Sequence, residues 1–313
     1  MAGLVLSLIL LYGPWAGFRD FIITSAMTTL HHQWIATTFY EDNVISKVMA
    51  ANTVIPPDED TNADLVDINS EGTSTNELIK RRGSEPYRIV DINRNGYKGY
   101  MTIIYDAAKV KLGVSQYLGV KGELISAASK NAGALLAINS SGFLDTDGLG
   151  NGGTPTGALI QNGKVLWGEY SSSHIYNFIG FDKNHILTLL RATTKQATEK
   201  GIIDAVDFAP FLIVNGRSAI TKGNGGWGLA PRTAIGQRQD GIVLFLIIDG
   251  RQTQSIGASI IDVLDLMTEF GAINAANLDG GSSSILVVDG KIKNKPSSTT
   301  GERRTPAWFM LMP

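Results

Sequence analysis

The residues whose types and spacing suit chemistry stand where apolar runs stop. Asp279 follows "INAANL" and precedes Gly280, Gly281 and the serines Ser282, Ser283 and Ser284. A carboxylate at a strand tip beside two glycines leaves backbone N–H groups exposed and lets a ligand come close. Asp249-Gly250-Arg251 closes the run "IVLFLII", and Arg232 stands just before a run in "APRTAIGQ". Asn139 ends "LLAIN", and "GERRTP" carries Glu302, Arg303 and Arg304 in a loop. Carboxylates attack or activate water, and guanidinium forks match the oxygens of carboxylates and phosphates. Any one Asp-Gly is ordinary turn chemistry. Strand end after strand end carrying an ionisable or amide group exceeds what a scaffold needs.

Other motifs are weaker. "GLGNGG" formally matches a dinucleotide loop through Gly148, Gly150 and Gly153, but a turn and a hairpin follow it rather than a helix. In the same stretch Asp145 and Asp147 have calcium-loop spacing, while Leu149 and Thr156 occupy positions that should bear ligands. The metal content is therefore unknown from sequence, and a structural calcium is the one ion left open. A serine nucleophile elbow would need glycine at 284, where Ser284 stands, and His174 and His185 lie in no recognisable context. His31 and His32 are adjacent and point to different faces.

The elements that must position these residues are mostly strands. Asn162-Gly163, Asn215-Gly216, Asp240-Gly241 and Asp289-Gly290 each join two β-prone runs through residues that tolerate positive φ. "GASIIDVLDLMTEFG" reads as a helix with Ser259 as N-cap, Asp262 three residues on and Gly271 as its stop. It links the run 242–248 to the run before Asp279, so one crossover helix is embedded among antiparallel hairpins. "KGELISAASKNAG", 121–133, is a second helix. The class is α+β and β-rich, with flanking helices.

Composition bounds the rest. The chain has 313 residues, a formal net charge of −2 and no cysteine. Nucleic acid is not expected as a partner. Disulfides, thiolate metal sites and cysteine nucleophiles are excluded. Residues 1–18 carry no charge until Arg19 and read as a membrane anchor or uncleaved signal. Residues 19–51 read as a membrane-proximal helical region. Residues 52–85, rich in Asp, Asn, Thr, Ser and Pro, read as a linker or flap with too little apolar surface to order itself. Residues 86–313 form the catalytic-sized domain.

"INAANLDGGSSSILVVDGKI", "APRTAIGQ", "IIDGRQTQSIGASIIDVLDLMTEFGA", "AINSSGF" and "GALIQNGKVL" together resemble the phosphodiester glycosidase family over roughly residues 100–313. Where that family usually has Asn-Gly-Gly-Phe-Phe, this chain has Asn139-Ser140-Ser141-Gly142-Phe143. The resemblance implies hydrolysis of a sugar-1-phosphodiester at the anomeric carbon, with no cofactor required and with a phosphodiester-linked carbohydrate or envelope glycopolymer as partner. The bond breaks through an oxocarbenium-like transition state and the phosphate leaves as a weak base. Asp279 then serves as nucleophile or water-activating base and Glu302 as the second carboxylate. Arg232 and Arg251 grip the phosphate, with Asp249 and Arg303 beside them. Gly280, Gly281 and Ser282 offer N–H and hydroxyl contacts, and Asn139 holds a sugar hydroxyl. With the N-terminal segment in the cell membrane, the catalytic domain sits outside the cytoplasm. A non-catalytic module binding an anionic envelope polymer would use the same arginines without needing Asp279 and Glu302 to converge.

Overall fold

The computed structural model describes residues 11–13, 15–29, 32–55, 57–68, 77–145, 150–170 and 173–313. The run Ile242–Ile248 shows how its sheets are built. It is buried throughout, yet its side chains alternate between two cores. Val243, Phe245 and Ile247 enter one, and Leu244, Leu246 and Ile248 enter the other. A period of two sends successive residues to opposite faces, and a run apolar at every position suits a strand covered on both sides.

That strand lies in a seven-stranded sheet ordered β1 (Tyr87–Arg94), β2 (Tyr97–Ile104), β13 (Val243–Ile248), β12 (Arg232–Arg238), β14 (Ala272–Leu278), β10 (Phe211–Val214) and β11 (Arg217–Ser218). A five-stranded sheet runs β16 (Lys291–Ile292), β15 (Leu286–Val288), β4 (Leu136–Asn139), β17 (Ala307–Leu311) and β3 (Val110–Val114). A second runs β6 (Lys164–Trp167), β5 (Leu159–Gln161), β9 (Ile202–Asp207), β7 (Tyr176–Asp182) and β8 (Leu187–Ala192). Both contribute to the core on one face of the large sheet, where Phe245 and Phe309 meet. The other face is covered by α6 (Ile260–Glu269) through Ile260, Val263 and Met267.

The strand pairs are antiparallel. β12 pairs antiparallel with both β13 and β14, so those two run parallel to each other and α6 is the expected crossover. Ser259 and Asp262 close a reciprocal capping box and Gly271 takes φ +80°. The hairpin turns use the expected left-handed residues, with Asn162, Asn215 and Asp289 at φ 49–52° before their glycines. At the second helical stretch the helix is shorter than its motif, α4 (Ile125–Asn131).

The N-terminal region forms α1 (Ala16–Met27), α2 (Gln33–Phe39) and α3 (Asp42–Ala51) around a small core of their own. No helix among the described residues is long and apolar enough to cross a membrane. Residues 1–10 lie outside the described residues, as does His31.

Much of the stretch read as a linker is tied down. Thr61 exchanges hydrogen bonds with Leu189, its N–H reaching the Leu189 carbonyl and its hydroxyl accepting from the Leu189 N–H. Asp67 N–H donates to Gln239 O, and Ile79 is buried against the α6-side core. Low hydrophobicity over 52–85 hides this order, because the order comes from hydrogen bonds to the domain. Residues 69–76 lie outside the described residues.

Candidate active site

β14 ends at Leu278, and the chain there is held from three directions. Asp279 N–H donates to Ser140 O at 2.9 Å, and the Asn139 amide donates to Asp279 O at 2.5 Å. Gly281 N–H donates to Pro231 O at 2.9 Å. A Cβ on Gly280 would lie 2.9 Å from that same carbonyl, and Gly281 takes φ +62°. The two glycines are thus required by a close approach and by a left-handed turn. They start a short 3₁₀ turn, Gly281–Ser283.

The turn presents the Asp279 carboxylate to Ser283 and to the Gly280 N–H, which hydrogen-bond it. Burial nevertheless pushes its pKa up to about 7. Ser283 and the nearby Arg303 oppose the shift, and Asp145 adds to it. A carboxyl poised there exchanges protons near neutral pH, as a general base or acid must.

Guanidinium groups flank the turn on both sides. The Arg303 Nη1 donates to Ser282 Oγ at 3.1 Å and pairs with Asp145 Oδ2 at 2.8 Å. Its Cζ lies 4.7 Å from the centre of the Phe143 ring, and its Nη2 is buried without a hydrogen-bond partner among the described residues. On the other side, the Arg251 guanidinium lies 3.5–3.9 Å from where a Gly281 Cβ would stand. Arg251 itself takes φ +56°, a strained position for a residue with a side chain.

Behind Arg251 sits Arg232, 4% exposed, with Nε donating to Ala258 O and Nη2 to Gly228 O, and with the Trp227 ring beside its Cζ. Burial, followed by repulsion from Arg251, pushes its pKa down to about 10. Two like charges held together create a strongly positive spot, and an anion relieves it.

Four expected roles change. Both oxygens of Glu302 accept from Ser126, one from its N–H at 2.8 Å and the other from its hydroxyl. Leu124, the N-cap of α4, has no capping side chain, so Glu302 supplies the cap from a distant loop. Asp145 is the carboxylate whose charge acts on Asp279. Asn139 is fully buried. Its oxygen takes Thr233 Oγ1 at 2.8 Å and Ile285 N–H at 3.1 Å, and its nitrogen reaches Asp279 O, so it positions Asp279 instead of touching a sugar. Asp249 Oδ1 accepts from Asn294 and from Lys295 N–H, fixing the 294–295 loop. Arg232, expected to grip a phosphate, spends part of its fork on the Ala258 and Gly228 carbonyls.

Sequence reasoning weighed Asp145 only as a calcium ligand. Its oxygens accept from Gly150 N–H at 2.7 Å and from Arg303. Asp147, Gly148 and Leu149 lie outside the described residues. The glycine-rich stretch has a packing cause. A Cβ on Gly152 would lie 2.1 Å from Arg304 O, and one on Gly153 would lie 2.5 Å from Lys121 N. Gly152 lets the loop bearing Asp145 press onto the loop bearing Arg303, and Gly153 lets it press onto the backbone at 120–121. Near Asp279, the buried Ser140 and Ser141 hydroxyls have no hydrogen-bond partner among the described residues.

The family model for phosphodiester glycosidase matches residues 132–312. The SPbeta prophage-derived uncharacterized protein YomE of Bacillus subtilis (strain 168) is 29% identical over 205 residues, covering 63% of this chain and 31% of that protein. The N-acetylglucosamine-1-phosphodiester alpha-N-acetylglucosaminidase of Bos taurus is 33% identical over 69 residues, 22% of this chain and 13% of the bovine protein. The chain thus spans less than a third of the length of either relative. Among solved structures, the zebrafish catalytic domain of that enzyme superposes with a TM-score of 0.58 at 20% identity, covering 76% of this chain and 87% of the other. A putative exported protein from Burkholderia pseudomallei K96243 gives 0.52 at 19%, covering 69% and 74%.

Proposed function

Because the chain belongs to the phosphodiester glycosidase family, we propose that it hydrolyses sugar-1-phosphodiesters by breaking the bond between the anomeric carbon and the phosphate oxygen. The observation that carries this reading is one carboxylate, Asp279, at the end of a central strand with a guanidinium on either side of its turn. Water adds to the anomeric carbon as the carbon–oxygen bond breaks. Asp279 takes the proton of that water, and the pair of electrons leaves with the phosphate. The leaving phosphate is a weak base, so the work lies in stabilising charge on both fragments. Arg251 holds the phosphate oxygens, with the charge of Arg232 behind it. Arg303 offers its Nη2, which has no hydrogen-bond partner among the described residues, and the Gly280–Ser282 turn supplies further donors.

The substrate is a phosphodiester-linked carbohydrate of the cell envelope or an exopolysaccharide. The uncharged stretch up to Arg19 supports a placement at the membrane with the catalytic domain outside the cytoplasm. The reaction as drawn uses no cofactor.

Incubating the full chain with a panel of sugar-1-phosphodiesters and measuring free sugar tests the reading. Turnover by the wild type that is lost in Asp279→Asn supports it. Binding without turnover by either protein replaces it with a carbohydrate-binding role.

A further inference from the structure

The end of the seven-stranded sheet far from Asp279 holds a cavity that this chemistry does not use. It has a volume of about 350 Å³ and is lined by Arg81, Ser84, Tyr105, Asp106, Lys109 and His185 among others. Gly241, in the turn after β12, closes one side. β12 runs from Arg232 to Arg238, so about 20 Å of strand separates this cavity from Asp279.

The charges around it are unbalanced. Arg81, Lys109 and His185 bring three basic side chains, and none of them is in an ion pair among the described residues. Arg81 uses only its Nε, on Glu85 O at 3.0 Å, and its Cζ lies 5.5 Å from the centre of the Tyr105 ring. Glu85 does not neutralise it, because that carboxylate takes Arg88 Nη2 at 2.6 Å and Arg82 N–H at 2.8 Å. Among the described residues the one carboxylate in the lining is that of Asp106, whose Oδ1 accepts from Ala108 N–H. His185 reaches this position from the hairpin between β7 and β8, at a φ of +62°. Ile68, Pro86 and Tyr105 supply an apolar wall.

We propose that this cavity is a second binding site, for an organic phosphate of about sugar size. The basic groups and Ser84 hold the phosphate oxygens, and the apolar wall takes the carbon body. The space is about ten times the volume a water molecule occupies, more than a bare anion fills. This site is independent of the reaction proposed at Asp279.

The test uses the full chain with glycerol 3-phosphate, inorganic phosphate and acetate at constant ionic strength. It follows the His185 ring protons by NMR, assigned with His185→Ala. Glycerol 3-phosphate is expected to shift the His185 signal saturably, and at lower concentration than inorganic phosphate. The double variant Arg81→Gln/Lys109→Gln should weaken that binding by roughly tenfold or more, with an unchanged Tm. Arg251→Gln should leave the His185 response unchanged, so failure at Asp279 and failure here are told apart. An absent His185 shift overturns the proposal. So does an equal response to acetate, an equal affinity for inorganic phosphate, or a response lost in Arg251→Gln and kept in the double variant. If the double variant folds poorly, Lys109→Gln alone carries the same comparison.

Discussion

Replacing Asp279 by asparagine should stabilise the protein, and the gain should depend on pH. The carboxyl has an ordinary value of 3.8 and is pushed up to about 7 in the folded chain. Between those values the unfolded chain has lost the proton while the folded one keeps it, so the wild type loses stability as pH rises. The loss is absent below pH 4, grows through pH 5 and 6, and is complete above 7. Three units at 1.36 kcal/mol each set it at about 4 kcal/mol. Asparagine keeps the shape and never ionises. At pH 8 the variant should therefore exceed the wild type by up to about 4 kcal/mol, and at pH 4 the two should match. Urea unfolding of both proteins at a series of pH values measures this, alongside turnover, which should fall by about 10²–10⁴-fold. A constant difference from pH 4 to 8 would refute the claim that this carboxyl titrates near neutrality. Function and stability would then pull in opposite directions at one residue, as expected where an active site is built at a cost to the fold.

Other expectations follow from the same geometry. The pH profile of kcat/KM should rise through a midpoint near 7, set by Asp279. Arg303→Gln removes the cation that holds Asp279 down and should move the midpoint upward, whereas Asp145→Asn should move it downward. Opposite shifts in the two profiles are the check, and equal shifts contradict the assignment. Glu302→Gln weakens the cap of α4 and should cost about 0.5–2 kcal/mol in urea unfolding. Its turnover should stay within a few-fold of wild type, and a loss of 10²-fold or more would restore Glu302 to the chemistry. Asn139→Ala takes away the partner of the Ile285 N–H and the donor to Asp279 O in the core and should cost about 2–4 kcal/mol. Its kcat should fall more than its KM changes.

Local pattern carried much of this far. The hairpins at Asn162, Asn215 and Asp289 were legible because a two-residue turn with positive φ demands those residues. The cap and stop of α6 were legible for the same local reason. The Asn95-Gly96 turn between β1 and β2 went unread although its signal was of the same type. Asp279 and its glycines were legible because the carboxylate stands with two residues without bulk where an apolar run stops, one of several strand ends that carry an ionisable or amide group. What decides between Glu302 and Asp145 is not local. Glu302 is drawn to Ser126 because α4 begins on a leucine that cannot cap it. Asp145 reaches Arg303 where Gly152 lets two distant loops touch. Asn139 shows the same limit, since its amide is consumed by partners on β12, at Asp279 just past β14, and in the segment after Asp279. Tertiary pairing assigned those roles, and no window of sequence contains it.

The central claim is that attack falls on carbon and leaves the phosphorus–oxygen bonds intact. Hydrolysis of a sugar-1-phosphodiester in ¹⁸O-labelled water tests it directly, with the phosphomonoester product read by mass spectrometry. The account predicts a product free of label, because the bridging oxygen departs with the phosphate. Label in that phosphate would place the attack on phosphorus and contradict the role given to Asp279.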